Sequence, residues 1–106
     1  MLHYAHAAFR HGAGYELKEL VGDEMRYLAV QRALEVVGEA AANVPPNVQA
    51  ALPNIPFREA IGMRHRIIHG YATVDPIIIV QTVRDDLPPM ITALEAALSG
   101  PLPDEQ

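Results

Sequence analysis

Apolar residues along this chain recur mostly at three- and four-residue steps, the spacing that lays one stripe along a helix. A first helix is predicted from about Leu2 to His11, stopped by Gly12 and Gly14. A short turn around Glu16–Leu20 follows. Asp23 then stands as an N-cap, with Glu24 placed in the first turn of the next helix. From there to about Asn43, Met25, Leu28, Ala29, Ala33, Val36, Val37 and Ala40 mark an amphipathic helix. Gly38 inside it costs about 1 kcal/mol relative to alanine, which points to close packing as the reason for it.

Pro45 and Pro46 end that helix, and a brief turn with Val48 and Leu52 leads to Pro53-Asn-Ile-Pro56, an extended entry into the next element. A helix from Phe57 to about His69 presents Ala60, Ile61, Ile67 and Ile68 to a core, with Gly70 placed to stop it. Asp75-Pro76 opens the last helix, an N-cap acid before a proline in the first turn. That helix runs toward Ser99, with a break or kink at Pro88–Pro89, whose ring nitrogens cannot donate. Periodicity alone would allow Ile77–Val80 as a buried strand. With no second strand candidate to pair it, helix is preferred. The expected fold is all-α, a four- to five-helix antiparallel bundle. Long helices in so small a domain need a partner face, so a homodimer sharing helices between two chains is expected.

The 106 residues correspond to one domain, 50% hydrophobic and 20% charged, which excludes a disordered chain. There is no cysteine, so disulfide scaffolds, thiolate metal sites and cysteine nucleophiles are excluded. No apolar run approaches a membrane span, and the N-terminal MLHYAHAAFRHG carries histidines where a secretory signal needs an apolar core. A soluble cytoplasmic protein is expected. Its net charge of −5 argues against binding nucleic acid by broad phosphate attraction. The charge is unevenly spread, however. Arg58, Arg64 and Arg66 against Glu59 give Phe57–Tyr71 a charge of +2, leaving −7 on the remainder. A basic segment on an acidic body suits local anion recognition.

The densest polar chemistry lies in IGMRHRIIHGYATVD, residues 61–75. His65 and His69 stand four apart on one helix face, which is metal-ligand spacing. No intervening glutamate or cysteine supports that reading, and two histidines with separate roles fit better. Arg64 and His69 carry a different logic. A guanidinium holds a phosphate through parallel hydrogen bonds, and an imidazole moves a proton near neutral pH. Along one straight helix the two lie about 140° apart in rotation and ~7–8 Å apart in rise. To meet at one atom they need the helix to unwind at Gly70, or a facing copy from a second chain.

The run GMRHRIIHGY, with ALEVVGEAA and NIPFREAIGM before it and VDPIIIVQTVRDDLPPMITALEAAL after it, resembles HepT-like proteins of the HEPN superfamily. The likeness extends from about Asp23 to Leu98. It implies one HEPN-like helical domain over residues 1–106, all-α and commonly dimeric or of higher even order. Many members are metal-independent ribonucleases with four to six residues between a motif arginine and a motif histidine, extended by a tyrosine two residues after the histidine. Carried over, these are Arg64, His69 and Tyr71. His65 replaces the asparagine common after the motif arginine, which adds a titratable group. The first helix matches only loosely.

The resemblance further implies the toxin of a toxin–antitoxin pair that cleaves RNA, a tRNA being one candidate, by attack of the ribose 2′-hydroxyl on phosphorus, with no metal or organic cofactor. Arg64 would stabilise the phosphorane and His69 would act as general acid or base. Tyr71 would accept AMP from a minimal nucleotidyltransferase antitoxin that carries the Mg²⁺ and ATP, or would contact substrate. His65, Arg66 and Glu39 are supporting candidates, Glu39 as a buried carboxylate behind Arg64 or His69. The alternative is a non-catalytic module that holds a nucleotide in the same pocket and binds the nucleotidyltransferase.

Overall fold

The computed structural model describes residues 1–70 and 75–99. These form seven α-helical segments, α1 (Leu2–Gly12), α2 (Leu17–Gly22), α3 (Glu24–Ala42), α4 (Pro46–Ala51), α5 (Phe57–Gly70), α6 (Pro76–Gln81) and α7 (Leu87–Ser99). There is no strand among the described residues, and Ile77–Val80 is helical. The chain is all-α, with α1, α3, α5 and the α6–α7 rod as its long members and α2 and α4 as short connectors.

The helix boundaries follow the local chemistry. Asp23 caps α3, its side chain accepting from the Arg26 amide at 3.1 Å. Asp75 caps α6 by accepting from the Ile77 amide at 2.9 Å, and Pro76 occupies the first turn. The expected turn at Glu16–Leu20 is a true helix, α2, held by a reciprocal capping box between Glu16 and Glu19. At the other end of α3, Gln49 of α4 donates to the carbonyls of Val44 at 2.8 Å and Ala41 at 3.3 Å. It thereby satisfies the Val44 carbonyl just beyond the helix and adds a second donor to Ala41, which already accepts from the Val44 amide.

The break in the last helix comes earlier than the prolines themselves. A π-helical turn, Thr82–Asp86, joins α6 to α7, and the Leu87 amide bonds back to the Thr82 carbonyl. Pro88 and Pro89 cannot donate, and their rings crowd the carbonyls of the preceding turn, so a wider turn just upstream keeps the rod continuous. Thr82, buried there, donates its hydroxyl to the Ile78 carbonyl at 2.7 Å.

Leu20, Val30, Val37, Ile79, Val83 and Leu87 are the large side chains wholly removed from water. On α3 the buried stripe is Val30, Ala33, Leu34, Val37, Gly38 and Ala41. This corrects the stripe expected from the sequence: Met25, Leu28 and Ala29 are exposed, because the face that α1 and α5 cover is turned away from them. α3 packs against both α1 and α5. α1 runs antiparallel to the α6–α7 rod, with Gly12 against Val83 and His6 paired to Glu95 at 3.2 Å.

Candidate active site

Residues 57–70 make one uninterrupted α-helix, so the basic window is presented along a rigid rod. Its seat on α3 is set by Gly38. A Cβ at that position would stand 2.5 Å from the Ala60 carbonyl oxygen and would collide with the Cβ of Arg64. Only a residue without a side chain lets α3 and α5 cross this closely.

Arg64 is half-buried at this crossing, and its Nε is shielded from water with no hydrogen-bond partner among the described residues. A buried guanidinium nitrogen left unpaired carries a desolvation cost, and an incoming anionic oxygen would relieve it. Arg58, His65, Arg66 and His69 are exposed. Among the described residues, no carboxylate lies within ion-pair distance of any of these five side chains. α5 therefore carries a run of positive and titratable groups with no ion-pair partner among the described residues.

The two imidazoles of this face are brought together. The rings of His65 and His69 stack with centroids 5.6 Å apart and planes 16° from parallel. Arg64 and His69 are not brought together by unwinding of the helix. α5 remains helical through Gly70, so the proposed turn of His69 toward Arg64 at the helix end is absent.

Glu39 is exposed and makes no hydrogen bond or ion pair among the described residues, so it is not the buried carboxylate expected behind the site. Its neighbour one turn back, Glu35, is engaged by Arg32 at 3.0 Å. Tyr71 lies outside the described residues. No cluster of three potential metal ligands occurs among the described residues.

A groove of about 330 Å³ runs between α5 and the π turn with α7, lined by Glu59, Met63, Asp85, Asp86 and Met90. Sequence reasoning did not anticipate this acidic wall, since its members are far apart along the chain. Arg64, His65 and His69 line none of the clefts described.

The family described as ribonuclease HepT-like matches residues 1–97. The chain belongs to the HepT-like family. Among curated relatives of HepT-like type, a Thermococcus cleftensis protein named "Probable ribonuclease HepT" is 39% identical over 71 residues, 67% of this chain and 64% of that protein. Two Methanocaldococcus jannaschii proteins, each named as a candidate RNase, follow. One is 37% identical over 73 residues, 69% of this chain and 60% of its own length. The other is 36% identical over 73 residues, 69% of this chain and 63% of its own length. The chain thus spans under two thirds of the length of these three relatives. No solved structure gives a significant match. Among the described residues, no helix is long and apolar enough to cross a membrane.

Proposed function

We propose that this HepT-like chain is an endoribonuclease that cleaves RNA by attack of a ribose 2′-hydroxyl on the adjacent phosphorus. One observation carries the reading. Arg64, held at the Gly38 crossing with a buried Nε that has no partner among the described residues, shares the straight α5 with two exposed imidazoles, His65 and His69, that form no ion pair among the described residues. A fixed cation placed where charge develops on phosphorus contributes electrostatic stabilisation, and a free imidazole moves the proton. An open, locally basic face admits a polymer, whereas the acidic remainder of the chain disfavours generic RNA. A structured target such as a tRNA fits that balance.

The site is completed, in this reading, by a second copy of the chain. The straight α5 aims Arg64 and His69 in different directions, and a facing α5 in a homodimer supplies the missing partner. The chain acts as the toxin of a toxin–antitoxin pair. Tyr71 is the residue at which a nucleotidyltransferase antitoxin, using its own ATP and Mg²⁺, adds AMP. A bulky anion there blocks the site by occlusion and by repelling phosphate.

Incubation of the purified protein with total RNA, followed by sequencing of the cleavage ends, tests the reading. Specific ends bearing 2′,3′-cyclic phosphate are expected. Stoichiometric nucleotide binding without cleavage would instead establish a binding module.

A further inference from the structure

α5 is seated on α3, while the rod formed by α6, the π turn and α7 is seated on α1. The two outer members stand side by side with a groove between them, and the groove is continuous. A cleft of about 360 Å³ beside Gly62, Ile78 and Gln81 shares Glu59, Met63, Thr82 and Asp86 with the cleft of about 330 Å³ at Met90. That one in turn shares Asn54 and Pro89 with a cleft of about 680 Å³ bounded by Leu52, Ile55, Ala93 and Ala97. Along the rod the groove runs from Ile78 to Ala97, about 28 Å, the length of a helix of roughly five turns.

Its floor is apolar and its rim is acidic. Ala60, Met63 and Met90 line the middle, with Pro56 on one wall and Pro89 on the other. Methionine side chains are unbranched and polarizable, so they adapt to what is laid on them. Glu59 on α5 and Asp86 on the π turn are exposed and line the same two clefts. Neither forms an ion pair among the described residues. Asp85 adds a third carboxylate, paired with its exposed neighbour Arg84 at 3.1 Å. Arg66 lines only the end of the groove beside Ile78, which leaves the middle to the carboxylates. Like charges on the two walls of an apolar channel repel, and a cation laid between them is attracted by both.

We propose that this groove is the docking site for a basic amphipathic helix of a partner protein. Its apolar stripe lies on the methionine floor, and Lys or Arg along its edges meets Glu59 and Asp86. Charge decides the occupant. The chain's own residues 100–106 carry Asp104 and Glu105 and no basic residue, so the rim repels them. A second copy brings a net charge of −5, and its basic stretch is α5, which the ribonuclease reading commits to RNA. A basic segment from another protein suits both floor and rim. Arg64, His65 and His69 line no part of the groove, so docking does not depend on the cleavage chemistry.

The methionines provide the probe, since Met63 and Met90 line the groove whereas Met1 and Met25 do not. The full chain, isotope-labelled in its methionine methyl groups, is titrated by NMR with a short amidated helical peptide of leucine and lysine. A counterpart carrying glutamate for every lysine is the control. The lysine peptide should shift Met63 and Met90 saturably and leave Met25 in place, and the glutamate peptide should shift none of them. Glu59→Gln combined with Asp86→Asn keeps the shape of the groove, and circular dichroism checks its fold. This variant should bind the lysine peptide about tenfold more weakly, the effect of losing two exposed ion pairs. Unmoved Met63 and Met90 signals, equal affinity for the two peptides, or shifts centred on Met25 would overturn the proposal. Groove signals that move with protein concentration alone would place a second copy there and overturn it as well. RNA cleavage is measured separately, so failure of docking leaves the ribonuclease reading intact.

Discussion

Gly38 on α3 and Arg64 on α5 occupy one crossing point, where the missing side chain of the first makes room for the Cβ of the second. The strongest packing relation of the fold, α3 against α5, is thereby tied to the position of the candidate catalytic cation. Gly38 has no chemistry of its own. Its role is to set how deeply Arg64 is seated, and so how much water its guanidinium loses.

Gly38→Ala should therefore destabilise the protein, because the new Cβ meets backbone at Ala60 and cannot be accommodated by rotation of a side chain. Overpacking of this kind costs about 1–3 kcal/mol, against about 1 kcal/mol returned by the better helix former. Gly62, in the middle of α5, has open space where a Cβ would go, so Gly62→Ala should stabilise by about 0.5–1 kcal/mol. Thermal melts of the two variants should move in opposite directions.

Removing the guanidinium or the imidazole should abolish most cleavage while leaving the helical fold. Arg64→Ala and His69→Ala are each expected to lower kcat/KM by about 10²-fold or more. Arg64→Lys should not restore it, because an ammonium lacks the planar fork that grips two phosphate oxygens. Relief of growth arrest on overexpression, alongside an in vitro cleavage assay, reads the effect. Wild-type rates in both alanine variants would remove the pair from the mechanism.

Arg26 ties the start of α3 to the end of α1. Its Nη1 donates to the His11 carbonyl at 2.9 Å, and its guanidinium lies 4.4 Å from the centre of the Tyr15 ring. The carbonyl is one of the acceptors left open at a helix C-terminus, and the ring face adds a cation–π contact. Arg26→Ala should cost about 1–3 kcal/mol in denaturant unfolding, with cleavage per folded molecule unchanged.

Tyr27 gives an alkaline limit to stability. Its phenol titrates above the ordinary value of 10.0, chiefly because burial disfavours the phenolate and secondarily because Asp75 is nearby. A group whose folded value is raised contributes stability that is complete below its unfolded value and lost as pH climbs through the folded one. Stability should thus fall as pH rises past about 10, and Tyr27→Phe should flatten that part of the profile. Melting temperatures between neutral and strongly alkaline pH would show it, and an unchanged slope in the variant would count against Tyr27 as its source.

Tyr71 is the regulatory test. Co-expression with an active nucleotidyltransferase partner should yield a Tyr71 peptide carrying AMP, read by mass spectrometry. Tyr71→Phe should abolish the adduct and leave RNA cleavage unchanged in the presence of the partner. An unmodified peptide would leave inhibition by complex formation alone.

The sequence by itself determined the elements whose signals are local. Asp23 and Asp75 cap the helices they precede, and Pro76 opens one, because capping depends on a few neighbouring residues. The spacing of His65 and His69 was equally legible, since i and i+4 share a helix face in any fold. Tertiary structure alone decided which face of α3 is buried. Met25 and Leu28 satisfy the periodicity, yet they lie outside the surface that α1 and α5 cover. It also decided that the last helix accommodates its prolines by a π turn upstream, and that Glu39 faces water while Arg64 is seated on Gly38. These outcomes depend on contacts between residues distant in the chain, and no periodicity along one element encodes what its neighbour will cover.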